Sequence, residues 1–259
     1  MPTKTLKSLE RGVDLLFLFS AEKPILSLQD ISRALDLPES TAYRLVATLC
    51  KKGVLARSAT AKGYELHASL LRLQAVVRAH IDIRGLALPH LEALARESGE
   101  TSQLSLLHGN EIVCAEAVST PNMIRYMPEK GRAIPLHASA LGRAVLAFLP
   151  EAFLKTYIQR VGLQSMTPHT VTDPRKLRAL LTQIRAQGWA LSFQQMFLGA
   201  RGVAVPIFDN RGKVVASLGI SGPHPRFSAQ KARSSVPGLQ DHATQISEAL
   251  GAVPDDSKS

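Results

Sequence analysis

Residues Leu26 to Leu55 read "LSLQDISRALDLPESTAYRLVATLCKKGVL", two short helical patterns interrupted at "DLPES". Ser27 followed three residues later by Asp30 is a capping box, in which a hydroxyl and a carboxylate each satisfy a free amide. It predicts a helix with Leu28, Ile31 and Leu35 turned inward. The residue before a proline is pushed out of helical space, so this helix stops at "DLP". Pro38 then stands at or beside the first position of another helix, where its missing N–H costs nothing. Ala42, Leu45, Val46 and Leu49 form the buried stripe of that helix, and Gly53 closes it. Ser40, Thr41, Tyr43, Arg44 and Thr48 are left facing away from the core. Two short helices joined by a tight turn make a helix-turn-helix. Hydroxyls, a phenol and a guanidinium near the start of its second helix are groups that touch base edges, while the first amides can meet phosphate. Taken singly, each is equally a helix-start or surface residue; the set, behind a capped helix, points to DNA.

The reading extends in both directions. Upstream, Leu6, Leu9, Val13, Leu16 and Phe17 recur at three and four, predicting an amphipathic helix. Downstream, Val54–Arg57 and Tyr64–Leu66 are strand candidates around a Ser/Ala/Thr/Lys/Gly loop, the pattern of a wing after a recognition helix. Arg57 and Lys62 of that wing suit phosphate contacts, which add affinity and little sequence information. With Ser27 at the first helix start, they complete the candidate DNA contacts. "HASLLRLQAVVRAHIDI" reads as a helical connector. The organisation expected is a DNA-binding domain over 1–67, a linker helix over 68–82 and a larger domain over 83–259.

Composition agrees. The 259 residues carry a formal net charge of +10, which favours an anionic partner such as nucleic acid. Residues 1–80 hold 12 Lys/Arg against 7 Asp/Glu, about twice the net charge per residue of the remainder. No apolar run reaches the roughly 18 residues of a membrane span, and "MPTKTLKSLERG" lacks the apolar centre of a signal peptide. Two cysteines, Cys50 and Cys114, provide neither a disulfide framework nor a CxxC metal spacing. A cytoplasmic protein without membrane partners is the expectation.

In the larger part, "DIRGLALPHLEALARESG" is helical, with Pro89 a kink or restart. "ETSQLSLLHGNEIVCAEAV" is a hairpin about His108-Gly109-Asn110. Further strands are expected at "MIRYM", "WALSF", "GVAVPIFD" and "KVVASLGIS", and helices at Ala138–Leu149, Glu151–Arg160, Pro174–Gln187 and Ser228–Leu250. Strand pairs joined by turns, with helices grouped between them, indicate an antiparallel α+β domain. Catalytic signals are weak. "GISGP" lacks the GxSxG spacing, and there is no Walker loop, GxGxxG or HExxH. His137 and Ser139 lie two apart at a strand-to-helix junction, where Ser139 suits a helix cap and His137 a hydrogen-bonded structural role. No catalytic residue, metal ligand or cofactor is expected. Polar residues and glycines gathered in loops suit a ligand pocket.

Four stretches in order, "LSLQDISRALDLPESTAYRLVATL", "PLHASALGRAVLAFLP", "VTDPRKLRALLTQIRAQGWAL" and "GARGVAVPIFDNRGKVVASLGISGP", resemble the isocitrate lyase regulator (IclR) family of bacterial transcription factors. The resemblance implies a winged helix-turn-helix, a linker helix and a GAF-like effector domain. It also implies a dimer or tetramer on double-stranded operator DNA, acting as repressor or activator under a small organic acid. Carried over, the family's pocket falls on Met123, Tyr126 and Ile134 as one wall and on Ala140 and Leu141 at a helix start. Ser192, Ala200, Gly202, Gly219 and Ser221 follow. The family's acidic "DDEE"-like run is here "SFQQ", Ser192 to Gln195; Gly202 replaces a common cysteine and Gly219 a frequent serine. Fewer carboxylates and two added glycines imply a bulkier, aromatic carboxylate. The competing readings are a ligand-independent architectural DNA-binding protein and an enzyme using His137 or Ser221.

Overall fold

A computed structural model of the chain describes residues 6–20, 23–73 and 82–252. The chain divides into two compact units, Met1–Ile81 and Asp82–Ser259.

The first unit contains α1 (Lys7–Phe17), β1 (Ile25–Leu26), α2 (Leu28–Ala34), α3 (Glu39–Lys51), β2 (Leu55–Arg57) and β3 (Tyr64–Leu66). Its small sheet runs β1-β3-β2, antiparallel throughout. The capping box forms as expected: Asp30 N–H donates to Ser27 Oγ at 3.1 Å, and Ser27 N–H to the Asp30 carboxylate at 3.1 Å. The turn between α2 and α3 is tightened by Asp36, whose φ of 50° lies in the left-handed region that aspartate tolerates better than most residues. Ser32 Oγ locks it by donating to the Leu37 carbonyl at 2.6 Å. Leu15, Ile31, Ala42, Val46, Leu55 and Tyr64 fill the core. Helix α1 forms, but its apolar stripe of Leu6, Leu9, Val13 and Phe17 is exposed, and Leu15 is the residue it buries. Residues 70–73 are helical; most of the expected 68–82 linker helix lies outside the described residues.

The second unit is a six-stranded antiparallel sheet with helices on both faces. Its elements are α4 (Ile83–Ser98), β4 (Thr101–His108), β5 (Glu111–Val118), β6 (Ala133–Pro135), α5 (Ala140–Leu146), α6 (Glu151–Arg160), α7 (Pro174–Gln187), β7 (Ala190–Phe193), β8 (Ala200–Phe208), β9 (Val214–Pro223), α8 (Ala229–Ser234) and α9 (Val236–Ala249). Strand order is β6-β5-β4-β9-β8-β7. Leu91, Leu94, Leu104, Leu218, Leu239 and Ile246 make the core beneath α4 and α9. Ile112, Leu136, Val145, Tyr157, Leu177 and Leu181 make the other, beneath α5, α6 and α7. Pro206 sits inside β8, tolerated because β7 pairs with β8 only as far as Ala204 and needs no N–H from it.

Three sequence expectations change. "MIRYM" is unpaired loop, because the edge of β5 is taken by β6. The loop's carbonyls are met by side chains instead: Thr101 Oγ1 donates to Tyr126 O at 2.6 Å and an Arg226 nitrogen to Ile124 O at 2.9 Å. The last helix is two helices, since Pro237 lacks the N–H to continue one and starts another. Pro89 stays within a continuous α4.

Candidate nucleic-acid interface and ligand cavity

On α3, Ser40, Tyr43, Arg44 and Thr48 are exposed and Thr41 is half-buried, all on the side opposite the Ala42–Val46 stripe. Thr48 Oγ1 donates to the Arg44 carbonyl at 2.7 Å, which leaves its hydroxyl only as an acceptor for an outside partner. Ser27 is occupied by the capping box, so its first role is to start α2. Arg57 and Lys62 are both exposed on the β2–β3 hairpin, and the Arg57 guanidinium lies 5.8 Å from the centre of the Tyr64 ring. The surface combines a phenol and guanidinium on a helix with two cations on a wing and carries no buried ionic pair.

The candidate ligand cavity lies beside α5. All seven of its residues are buried. The approach of α5 to the chain before it requires Gly142, because a Cβ there would strike the Leu136 carbonyl. Ser139 caps the helix, accepting from Gly142 N–H at 3.0 Å, so the amides of Ala140 and Leu141 have no acceptor among the described residues. Seven residues give only a weak helix dipole, so these amides would act as local donors.

Beside that helix start lies an inner cavity of about 30 Å³. Tyr126, Ile134, Ala140, Leu141, Ser192, Ala200, Gly202 and Ser221 line it, eight of the ten residues expected from the sequence. They come from the 119–132 loop, β6, α5, β7, β8 and β9. Gly202 does hold space open: a Cβ there would sit 3.0 Å from Ser221 Oγ and 3.3 Å from Ser192 Oγ. The other two residues are not in its lining. Met123 is 97% exposed and lines neither this cavity nor the larger one beside it, because its loop is not a strand with an inward face. Gly219 does not enlarge the cavity. A Cβ there would lie 2.8 Å from Leu141 Cδ2 and 2.8 Å from the Val203 carbonyl, so the absent side chain is what lets α5 pack on the sheet.

Tyr126, Ile134, Phe197 and Ala200 are shared with an outer cavity of about 430 Å³. It adds Gln103, Cys114, Arg125, Met127, Glu129 and Arg132, none of them expected at a pocket from the sequence. The Tyr126 and Phe197 rings lie 5.7 Å apart, and the Arg132 guanidinium is 5.2 Å from the Phe197 ring centre. Burial pushes the Tyr126 phenol up to about 12 and the Cys114 thiol up to about 11, so both are neutral at pH 7. Cys114 is therefore no activated nucleophile.

His137 is fully buried between the Tyr157 hydroxyl at 2.8 Å and the Gln164 carbonyl at 2.9 Å. Burial, assisted by the Arg143 charge, holds its basicity below the usual histidine range. Both ring nitrogens are spent on structure. Ser139 is the α5 cap. The pair makes no catalytic dyad. Arg143, at the centre of α5, is wholly buried, and burial lowers its pKa to about 10. Its one legible signal was a cation inside the apolar run "ALGRAVL".

A winged helix-turn-helix joined to a sheet domain with a sheltered cavity defines a DNA-binding regulator. Family comparison agrees over nearly the whole chain. The IclR helix-turn-helix domain model matches residues 8–59, and the bacterial transcriptional regulator IclR C-terminal model matches residues 74–248. The chain belongs to the IclR family of transcriptional regulators. It is 32% identical to the transcriptional repressor AllR of Escherichia coli K12 over 96% of this chain and 92% of that one. A crystal structure described as an IclR regulator from Silicibacter sp. TM1040 superimposes with TM-score 0.88 at 27% identity, covering 97% of this chain and 98% of the other. An IclR homologue from Microbacterium hydrocarbonoxydans, complexed with 4-hydroxybenzoate, is 29% identical with TM-score 0.60, covering 94% and 98%. AllR and the Silicibacter protein are both described as transcriptional regulators.

Proposed function

We propose that the α3 face and the wing bind operator DNA, and that a small organic acid held in the cavity sets operator occupancy. The convergence of eight pocket residues from six separate segments on one cavity carries this reading. The inner cavity is small, with room for a polar head group and no body. The adjoining outer cavity is of ligand size and apolar on one side, which supports an aromatic or similarly bulky acid. The Microbacterium homologue's complex with 4-hydroxybenzoate supports the same class. The bulk is accommodated outside the helix start and owes nothing to Gly219.

Pairing of two chains belongs to the proposal, since one winged domain reads few base pairs and specificity needs a second half-site. Helix α4 does not offer Leu91 and Leu94 for it, because both are buried in their own unit. The exposed stripe of α1, with Phe17 84% exposed, is better suited to cover a second copy. The site of action is the cytoplasm, where the operator is.

The test is operator binding by fluorescence anisotropy with and without 4-hydroxybenzoate and related aromatic acids, beside a thermal-shift panel. A change in operator affinity with a stabilising acid is expected. Operator binding indifferent to every stabilising acid would favour an architectural protein.

A further inference from the structure

Arg143 is the largest side chain with no solvent exposure among the described residues. It forms no ion pair there. Its guanidinium donates to neutral acceptors only: the His137 carbonyl at 2.9 Å, the Leu191 carbonyl at 3.0 Å and Gln195 Oε1 at 2.5 Å. Its Nε has no partner. Buried charges in folded proteins are ordinarily paired, because the cost of removing an ion from water is otherwise not offset. Here the residue that meets the guanidinium is an amide where a glutamate would fit.

Gln195 lines the inner cavity. Its backbone is held in place by Thr170 Oγ1, which donates to its carbonyl at 2.6 Å. With Oε1 taken by Arg143, the free end of the amide is its NH2 group, a donor. Arg201 lines the same cavity, stacks 4.8 Å from the centre of the Phe193 ring, donates to the Phe227 carbonyl at 3.0 Å and also has a buried, unpartnered Nε. No aspartate or glutamate lines the inner cavity. The Arg201 side chain, the hydroxyls of Ser192 and Ser221 and the Gln195 amide thus line a space with no negative charge of its own, and the Arg143 guanidinium stands behind Gln195.

We infer that the inner cavity is a receptor for a single negative charge brought by the ligand, with Gln195 as the contacting donor and Arg143 as the positioning residue behind it. The ligand carboxylate supplies the counter-charge that Gln195 withholds. Neutral isosteres of the same shape are rejected, because they leave the buried cation uncompensated while filling the space. Volume adds a restriction. Only the acid's head group fits inside, and the rest projects toward Tyr126 and Phe197. The inference rests on the cavity being the effector site.

The decisive variant is Gln195→Glu, nearly isosteric, which supplies the missing carboxylate internally. Without any ligand, full-length Gln195→Glu should melt about 3 °C or more above the wild type. In an Arg143→Met background the same change should lower the melting temperature, since the new carboxylate then has no buried partner. A lower melting temperature for Gln195→Glu alone overturns the inference. The ligand arm compares formate, acetate, benzoate and 4-hydroxybenzoate with their neutral amides by thermal shift. At least one acid should stabilise the wild type about tenfold more effectively than its amide, and Gln195→Glu should abolish that advantage. Equal effects of acids and amides, or no effect of any acid, overturn the receptor. Operator response is a separate readout: an acid bound here without effect on DNA leaves the receptor standing and removes the effector reading.

Discussion

The two units differ in where they keep their polar side chains. In the DNA-binding unit no polar side chain is fully buried among the described residues; Ser40, Tyr43, Arg44, Arg57 and Lys62 sit on the surface of a small apolar core. In the C-terminal unit Glu100, Gln103, Ser105, His137, Arg143 and Ser217 are all buried within or beside the sheet. A unit that reads a polyanion needs exposed donors on a rigid frame. A unit that discriminates a small molecule needs polar groups in a low dielectric, where an unmet hydrogen bond or charge weighs most. The first can lose a polar residue at little cost in stability; the second is destabilised by the loss.

The largest effect expected from this contrast is at Glu100. It is fully buried and holds Arg226 through two hydrogen bonds of 2.7 and 2.8 Å. Glu100→Ala should cost about 3 kcal/mol in urea unfolding, because two hydrogen bonds to a charged group are lost while the partly exposed Arg226 keeps its water. Gly142→Ala should cost about 3 kcal/mol, because the methyl group displaces the Leu136 carbonyl. A change below half a kcal/mol at either position would dissolve the contrast.

Next comes Arg44→Ala, which should leave the melting temperature unchanged and weaken specific operator binding by about 1–3 kcal/mol. Loss of equal size on random DNA would remove Arg44 as a base reader. A smaller effect follows from His137. Its folded-state pKa is depressed, so the unfolded chain takes up the extra proton as pH falls. Stability should be full above about pH 7 and decline as pH drops through about 6.5 toward the lowered native value. His90, also depressed by burial and by His242 at 2.8 Å, adds to the same slope. His137→Asn should melt lower at pH 7 and lose less between pH 7 and 5.5 than the wild type. The smallest effect is Lys62→Ala, about equal on all DNA sequences and visible chiefly as a reduced salt slope.

The same contrast explains what the sequence disclosed. Outward residues on α3 follow from helical periodicity, because a stripe at Ala42, Leu45 and Val46 leaves only one other side. The capping box and the turn at "DLPES" are local signals, and both formed. The contact of Arg143 with Gln195 could not be found this way: it joins α5 to the segment after β7, whose backbone is held by Thr170, all brought together from distant sequence. Periodicity also erred where it lacked a partner. "MIRYM" alternates like a strand, yet no sheet edge is open to it, and Met123 therefore fell outside the cavity. Gly219 looked like added space and is instead a packing surface for Leu141. Family resemblance supplied most of the inner cavity; the outer one came from the fold alone.

The central claim is that DNA reading and ligand sensing are separable. Gly202→Leu tests it most directly, measured as operator affinity with and without an acid that stabilises the wild type. The side chain would meet Ser192 and Ser221 and fill the inner cavity, which a tightly packed interior cannot absorb. The account predicts wild-type operator affinity without ligand and a response shifted at least tenfold in ligand concentration or lost. An unchanged response would contradict it, placing the effector elsewhere.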